Sequence, residues 1–156
     1  MPKPRVVHIH NAHPRLRLKR RAIVKVIHTL DLHRDKFLGG PSSGELSLAF
    51  LTDEALALVH ANFLHDPTTT DVITFEGNSA HANAGEICIS ADTAKEYASR
   101  HNRNFSTELT LYIVHGWLHL SGYDDMQPEK KRRMRAAEKR AMTILSDASL
   151  LPEFIL

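Results

Sequence analysis

His115 and His119 stand four residues apart in the run His115-Gly-Trp-Leu-His119-Leu-Ser-Gly122-Tyr-Asp-Asp125. On a helix that spacing sends both imidazoles off one face. Their neighbours Leu109, Leu111, Tyr112, Ile113, Val114, Trp117, Leu118 and Leu120 are apolar almost all round, which places such a helix in the interior. A buried polar group without a partner costs on the order of 1–3 kcal/mol, so both rings need partners. A divalent metal satisfies them together, with Zn–N near ~2.0–2.1 Å. Gly122 lets the backbone turn back after the helix, and Asp125 is then within reach as a third ligand, leaving a fourth position for water. Two core histidines hydrogen-bonded to carboxylates or carbonyls are the competing reading. The glycine turn and the trailing carboxylate favour one metal ion held by His115, His119 and Asp125.

The pattern is not the His-Glu-x-x-His of zinc proteases, because Gly116 stands where their glutamate base would be. That disfavours a peptidase. A glycine inside a helix costs ~1 kcal/mol against alanine, so Gly116 is expected to serve packing or access. The hydrolytic base stays unassigned; hydroxide on the metal, Asp124 and Asp71 are the candidates. Other chemically capable residues read more plainly. His8 and His10 share one face of a short strand and are expected at a solvated edge. Cys88, between Ile87 and Ile89, is expected to be packed, as is Trp117.

The elements that must position these groups follow from periodicity and punctuation. Arg5–His10, Glu45–Leu51, Val72–Phe75 and Glu86–Ser90 are β-rich or alternating and are predicted strands. Leu16–Leu30 has helical spacing at Ile23, Val26, Ile27 and Leu30. Thr52 is a predicted N-cap for a helix to about Asn62. Further helices are predicted over Ala91–His101, from a cap at Ser106 to about Leu120 with Gly122 as its stop, and from Pro128 to about Leu145. His65–Thr70 reads as a polar loop and Gly77–Gly85 as a flexible connection. The order β-α-β-α-β-β-α-α-α predicts one α+β domain over residues 1–156, a small, about four-stranded mixed sheet packed with about five helices.

With 42% hydrophobic and 24% charged residues, the 156-residue chain has the composition of a globular domain. A single cysteine excludes an internal disulfide framework and a Cys-only zinc cage. No apolar run approaches the ~20 residues that span a bilayer, and MPKPRVVHIH lacks the apolar stretch of a secretory signal. A cytoplasmic protein with no membrane association is the expectation. The net charge of +2 is segregated: residues 1–36 carry ten Lys/Arg and two Asp/Glu, residues 37–125 three and twelve, residues 126–156 seven and four. Basic ends suit a polyanion such as RNA. Their plainer reading is the solvated face of helices, with Arg15, Arg17, Lys19, Arg20, Arg21 and Lys25 on the first. On the last, Lys130, Lys131, Arg132, Arg133, Arg135, Lys139 and Arg140 surround an apolar stripe of Met134, Ala137, Ala141 and Ile144.

HGWLHLSGYDD resembles the signature of the YbeY family of bacterial rRNA-maturation endoribonucleases, usually written HGxLHLxGYDH. Thr70–Phe75 (TDVITF) resembles the family's TDVLSF strand and Gly85–Ser90 (GEICIS) its GDIxIS strand, followed by a helix, here Asp92–His101. Phe105–Leu120 resembles its SFxxELxxLxVHGxLHL helix. The resemblance covers about residues 45–145. It implies a zinc-dependent, single-strand-specific endoribonuclease acting on the 3′ end of small-subunit (16S) rRNA and in ribosome quality control. Its partners would be single-stranded RNA, rRNA and the small ribosomal subunit, and its one Zn2+ would sit on His115, His119 and Asp125. The alternative is a ribosome-assembly RNA-binding factor with a structural metal and little cleavage. Two departures stand out. The third ligand, usually histidine, is Asp125, which lowers the formal charge of the site and predicts weaker electrophilic help. Where many members have Tyr-Arg, this chain reads Phe63-Leu64-His65-Asp66, so an arginine of the cleft is missing there; His65 or a basic residue from another segment is the expected substitute.

Overall fold

Alternation in Glu45–Leu51 produces the strand that organises the molecule: Leu46, Leu48 and Phe50 are buried on one face, and Ala49 is buried on the other. The computed structural model describes residues 3–64 and 71–156, without the side chains of 63 and 64. The expected loop at His65–Thr70, and the readings placed on Leu64 and His65, lie outside the described residues.

The elements are β1 (Val7–Asn11), α1 (Arg20–Leu32), β2 (Glu45–Leu51), α2 (Asp53–Leu64), β3 (Val72–Glu76), β4 (Asn83–Ser90), α3 (Ala91–Arg100), α4 (Phe105–Ser121) and α5 (Pro128–Asp147), with short 3-10 turns at Arg34–Lys36 and Ser79–His81. This is the expected order. The four strands form one sheet in the order β1-β2-β4-β3. β1 and β4 both run parallel to β2, while β3 is antiparallel to β4, so the sheet is mixed. The fold is a single small α+β domain with five helices. Among the described residues no helix is long and apolar enough to cross a membrane.

The two faces of the sheet carry different loads. Ile87 and Ile89 join Leu46, Leu48 and Phe50 in the main core, against α1, α4 and α5. Ala49, Ile73 and Cys88 face the other way into a smaller cluster with Leu56 of α2. Cys88 is packed as expected, and burial, then the neighbouring Glu86, push its thiol up to about 12. Trp117 is fully buried, edge-on to Phe37 at 5.5 Å, and its indole N–H donates to Asp31.

Several boundaries differ from the sequence expectations for tertiary reasons. The first helix begins at Arg20, because Arg17 exchanges backbone hydrogen bonds with Ile155 near the C-terminus. Of the six basic residues expected on it, Arg20, Arg21 and Lys25 lie on α1 and the others precede it; all six are exposed. α4 is capped by Asn104, whose Oδ1 accepts from Thr107 N; the Ser106 hydroxyl is engaged with the backbone of Phe154. β4 starts at Asn83, inside the expected connection. Thr52 does cap α2, accepting from Ala55 N, and Pro128 opens α5. On α5 the buried stripe is Met134, Ala137, Glu138, Ala141 and Leu145, with Ile144 only partly buried.

Candidate metal centre

The site is built at the C-terminal end of α4. Gly122, at φ 111°, adopts the left-handed conformation that glycine takes without steric penalty. The N–H of Gly122 then bonds His119 O and the N–H of Tyr123 bonds Leu118 O, the paired closure of a Schellman motif. This turn does two further things. It places Tyr123 O 3.1 Å from His119 Nδ1, and it brings the chain back so that Asp125 faces the two rings. Gly116 has the packing role expected of it: a Cβ there would lie 2.4 Å from Ile87 Cγ2, so its absence lets α4 press against β4.

Each ring is fixed through Nδ1. Tyr123 O can only accept, so His119 Nδ1 carries the proton. His115 Nδ1 lies 2.6 Å from Glu138 Oε2 on α5. Burial pushes the Glu138 carboxyl up, but hydrogen bonds from His115 and Arg135 outweigh it and hold the group below its usual range. It is therefore an ionised acceptor. In the neutral rings both Nε2 atoms then keep their lone pairs. Burial, followed by the neighbouring His115, lowers the pKa of His119 and keeps it neutral; Asp125 offsets part of this.

Those lone pairs converge. The two Nε2 atoms are 2.9 Å apart, and Asp125 Oδ2 lies 3.5 Å from His115 Nε2 and 3.8 Å from His119 Nε2. Three tetrahedral ligands at ~2.1 Å from one ion would be about 3.4 Å from each other, and the observed separations bracket that value. Two facing lone pairs at 2.9 Å repel unless a proton or a cation lies between them. The cluster His115, His119 and Asp125 could thus hold a metal ion, and its donors, two imidazoles and one carboxylate, suit zinc. All three are partly exposed, leaving a side open to ligand.

That open side is a cavity of about 680 Å³. His115, Asp125 and Glu138 line it together with Asp71, Glu108, Tyr112, Arg103 and Arg135. Of the two side chains considered as bases, Asp71 is on this cavity. Asp124 is elsewhere: it accepts from Met126 N, lies 3.8 Å from Lys130 and faces a separate groove. Glu108, about two turns before His115, is buried, and that burial raises its pKa; Arg103 offsets part of the rise. His8 and His10 lie on exposed positions of the edge strand β1, His8 near Glu45 at 3.4 Å, away from the centre.

Glu138 is the site residue that sequence reasoning missed. The signal was present: Glu138 occupies an apolar stripe position, four after Met134 and three before Ala141. A carboxylate on the buried face of a helix needs a partner, and here the partners are His115 and Arg135.

Comparison with known proteins agrees with this geometry. A family model described as Endoribonuclease YbeY matches residues 8–146. A relative from Protochlamydia amoebophila, named Endoribonuclease YbeY, is 38% identical over 110 residues, spanning 68% of this chain and 73% of its own. A relative of the same name from Porphyromonas gingivalis is 35% identical over 108 residues, 69% of this chain and 72% of its own. The solution structure of TM1509 from Thermotoga maritima matches with a TM-score of 0.63 over 92% of both chains at 20% identity, a likeness of fold. A motif-bearing helix, its returning carboxylate and a match over most of the chain lead to one conclusion: this chain belongs to the YbeY endoribonuclease family.

Proposed function

We propose that the protein is a zinc-dependent endoribonuclease that cuts single-stranded RNA at the His115–His119–Asp125 centre. The observation that carries this is the convergence of three ligand atoms, two of them with lone pairs committed to nothing else, on an open cavity. A zinc ion bound there would supply a Lewis acid for a phosphoryl oxygen and lower the pKa of water in reach of it. The chain's own groups do the rest. Glu138 and Tyr123 O hold the two imidazoles in the liganding tautomer. Asp71, whose Oδ1 accepts from Val72 N, lines the cavity as a carboxylate that would serve as the general base. A cavity of this size admits an exposed nucleotide, which favours an unpaired strand over a duplex.

Membership of the family, whose relatives are named endoribonucleases, supports the finer reading. On that reading the substrate is the 3′ end of small-subunit (16S) rRNA. The partner is the small ribosomal subunit, the compartment is the cytoplasm, and a role in ribosome quality control follows. The test is to measure bound metal in purified protein and incubate it with single-stranded RNA, double-stranded RNA and a peptide pool, alongside His115→Ala and Asp125→Ala. Metal-dependent cleavage of the single strand, lost in both variants, is the expected result. Metal retained with RNA or ribosome binding and no cleavage would replace the nuclease with an assembly factor, and peptide cleavage would replace it with a peptidase.

A further inference from the structure

Four carboxylates, Asp71, Glu108, Asp125 and Glu138, line the cavity beside the candidate metal centre. A phosphodiester strand entering it meets like charge, which repels unless fixed cations offset it. Among the described lining residues the cations are Arg103 and Arg135. Both are built alike. Arg135 Nη1 donates to Glu138 Oε1 at 2.7 Å, and Arg103 Nη1 lies 3.9 Å from Glu108 Oε1. The two glutamates are buried, at 7% and 6% side-chain exposure, whereas the arginines are 56% and 57% exposed. Arg103 is further steadied over the ring of Tyr97, 5.7 Å from its centroid. A guanidinium has five N–H donors, and Glu138 takes one from Arg135. Arg135 is thus pinned along one edge and open along another, and Arg103 is held by the charge of Glu108 and the ring of Tyr97, so holding a phosphate freezes little additional side-chain freedom.

Position adds a second observation. Arg103 and Arg135, with Glu108, Glu138 and Leu111, also line an adjoining cavity of about 470 Å³, where Asn104, Thr107, Lys139 and Met142 make the rest of the wall. The two guanidinium groups stand at the boundary shared by the two spaces. We propose that Arg103 and Arg135 grip one backbone phosphate of the RNA substrate at this boundary, so that the strand runs from the metal centre into the cavity at Asn104 and Lys139. The inference rests on the RNA-cleaving reading above and assigns the strand's path and the residues that fix it. Removing either arginine takes a partner from a buried glutamate, so urea unfolding of each variant is read beside its RNA binding.

The test uses metal-loaded protein and a short fluorescein-labelled single-stranded oligoribonucleotide. Wild type is compared with Arg103→Ala, Arg135→Ala and Arg135→Lys. Arg132→Ala removes the same charge from α5 at a residue that lines neither cavity. Metal content, cleavage KM and the slope of log affinity against log salt are read for each. Arg103→Ala and Arg135→Ala should retain metal, raise KM about 5-fold or more, and each lower the salt slope, by about 0.7 when both are replaced, the loss of one phosphate contact. Arg135→Lys should restore the slope without the full affinity, and Arg132→Ala should behave as wild type. Wild-type slopes in both alanine variants, an equal loss in Arg132→Ala, or metal loss with an unchanged slope in Arg135→Ala would each overturn the grip. Wild-type protein that cleaves RNA beside unaffected variants sinks this inference alone. Wild-type protein that neither binds nor cleaves RNA sinks the nuclease reading with it.

Discussion

His13 and His115 each hold a ring nitrogen against a carboxylate, and they differ in what the other nitrogen does. His13 has a fully buried side chain. Its Nδ1 accepts from the N–H groups of Arg15 and Leu16, and its Nε2 donates to Asp92 Oδ1 at 2.7 Å. Asp92 in turn accepts from Asp53 N, and Asp53 accepts the hydroxyls of Ser90 and Thr93. Every nitrogen of that ring is committed to the protein. His115 spends Nδ1 on Glu138 and points Nε2 at His119 and Asp125. The difference lies in bookkeeping of lone pairs rather than in burial or in having an acidic neighbour. A ring with both nitrogens engaged clamps loops together; a ring with one nitrogen engaged is a ligand held ready.

Removing a group from each region should separate the two roles most sharply. Asp125→Ala is expected to lower metal affinity by more than ~100-fold, beyond what loss of an outer hydrogen bond does, while the denaturation midpoint of metal-free protein stays near wild type. His13→Ala should do the reverse. It strands Asp92 and two backbone N–H groups, which should cost about 3 kcal/mol in urea unfolding and leave metal stoichiometry at wild type. Metal loss in the His13 variant would erase the contrast.

Glu138→Gln sharpens it further. The amide keeps a hydrogen-bonding group near His115 Nδ1 but removes the charge that favours a basic Nε2, so metal affinity should fall about 10–100-fold in a competition titration. Asn at Asp92 should leave affinity unchanged. Next in size is Gly116→Ala. Its methyl meets Ile87 Cγ2, and the overpacking should cost about 1–3 kcal/mol, exceeding the ~1 kcal/mol that alanine gains in a helix. Ile87→Ala in the same chain should recover part of that loss.

The smallest expected effect is pH dependence in the metal-free protein. The folded pKa of His119 lies below its ordinary 6.5, so between the two values the unfolded chain binds more protons. The cost is absent above about 6.5 and grows as pH falls through that window. Glu138 is likewise lowered, from 4.5; its contribution is complete above that value and is lost as pH falls through its folded pKa. In the other region burial raises Asp92, but its hydrogen bond to His13 and the other favourable contacts prevail, so its contribution is lost only below 3.8. Acid should therefore weaken the metal-site half first, read as a urea midpoint that begins to fall near pH 6.5 and does so less in His119→Gln.

What could be read directly from the sequence was whatever one element decides by itself. The i, i+4 histidines, the glycine that turns the chain and the carboxylate that follows all belong to one helix and its stop, and they meet as expected. β2 alternates cleanly and was delimited residue for residue. What stayed hidden depends on segments far apart in the chain. Glu138 reaches His115 across 23 residues. Arg17 pairs with Ile155, which delays α1. Ser106 is the expected cap, but its hydroxyl is engaged with the backbone of Phe154 and Asn104 caps the helix instead. In the sequence Arg135 reads as a solvated charge or a phosphate contact alike with its neighbours, because nothing local distinguishes it from Arg132; the buried glutamate beneath it does.

On the proposed reading, two imidazoles and one carboxylate share a single ion. X-ray absorption at the zinc edge of the purified, zinc-loaded protein tests it most directly. A shell of nitrogen and oxygen at ~2.0–2.1 Å is expected, with imidazole scattering from two rings that falls to one in His119→Ala. A spectrum with sulfur in the shell, or one that His119→Ala and Asp125→Ala leave unaltered, would contradict it.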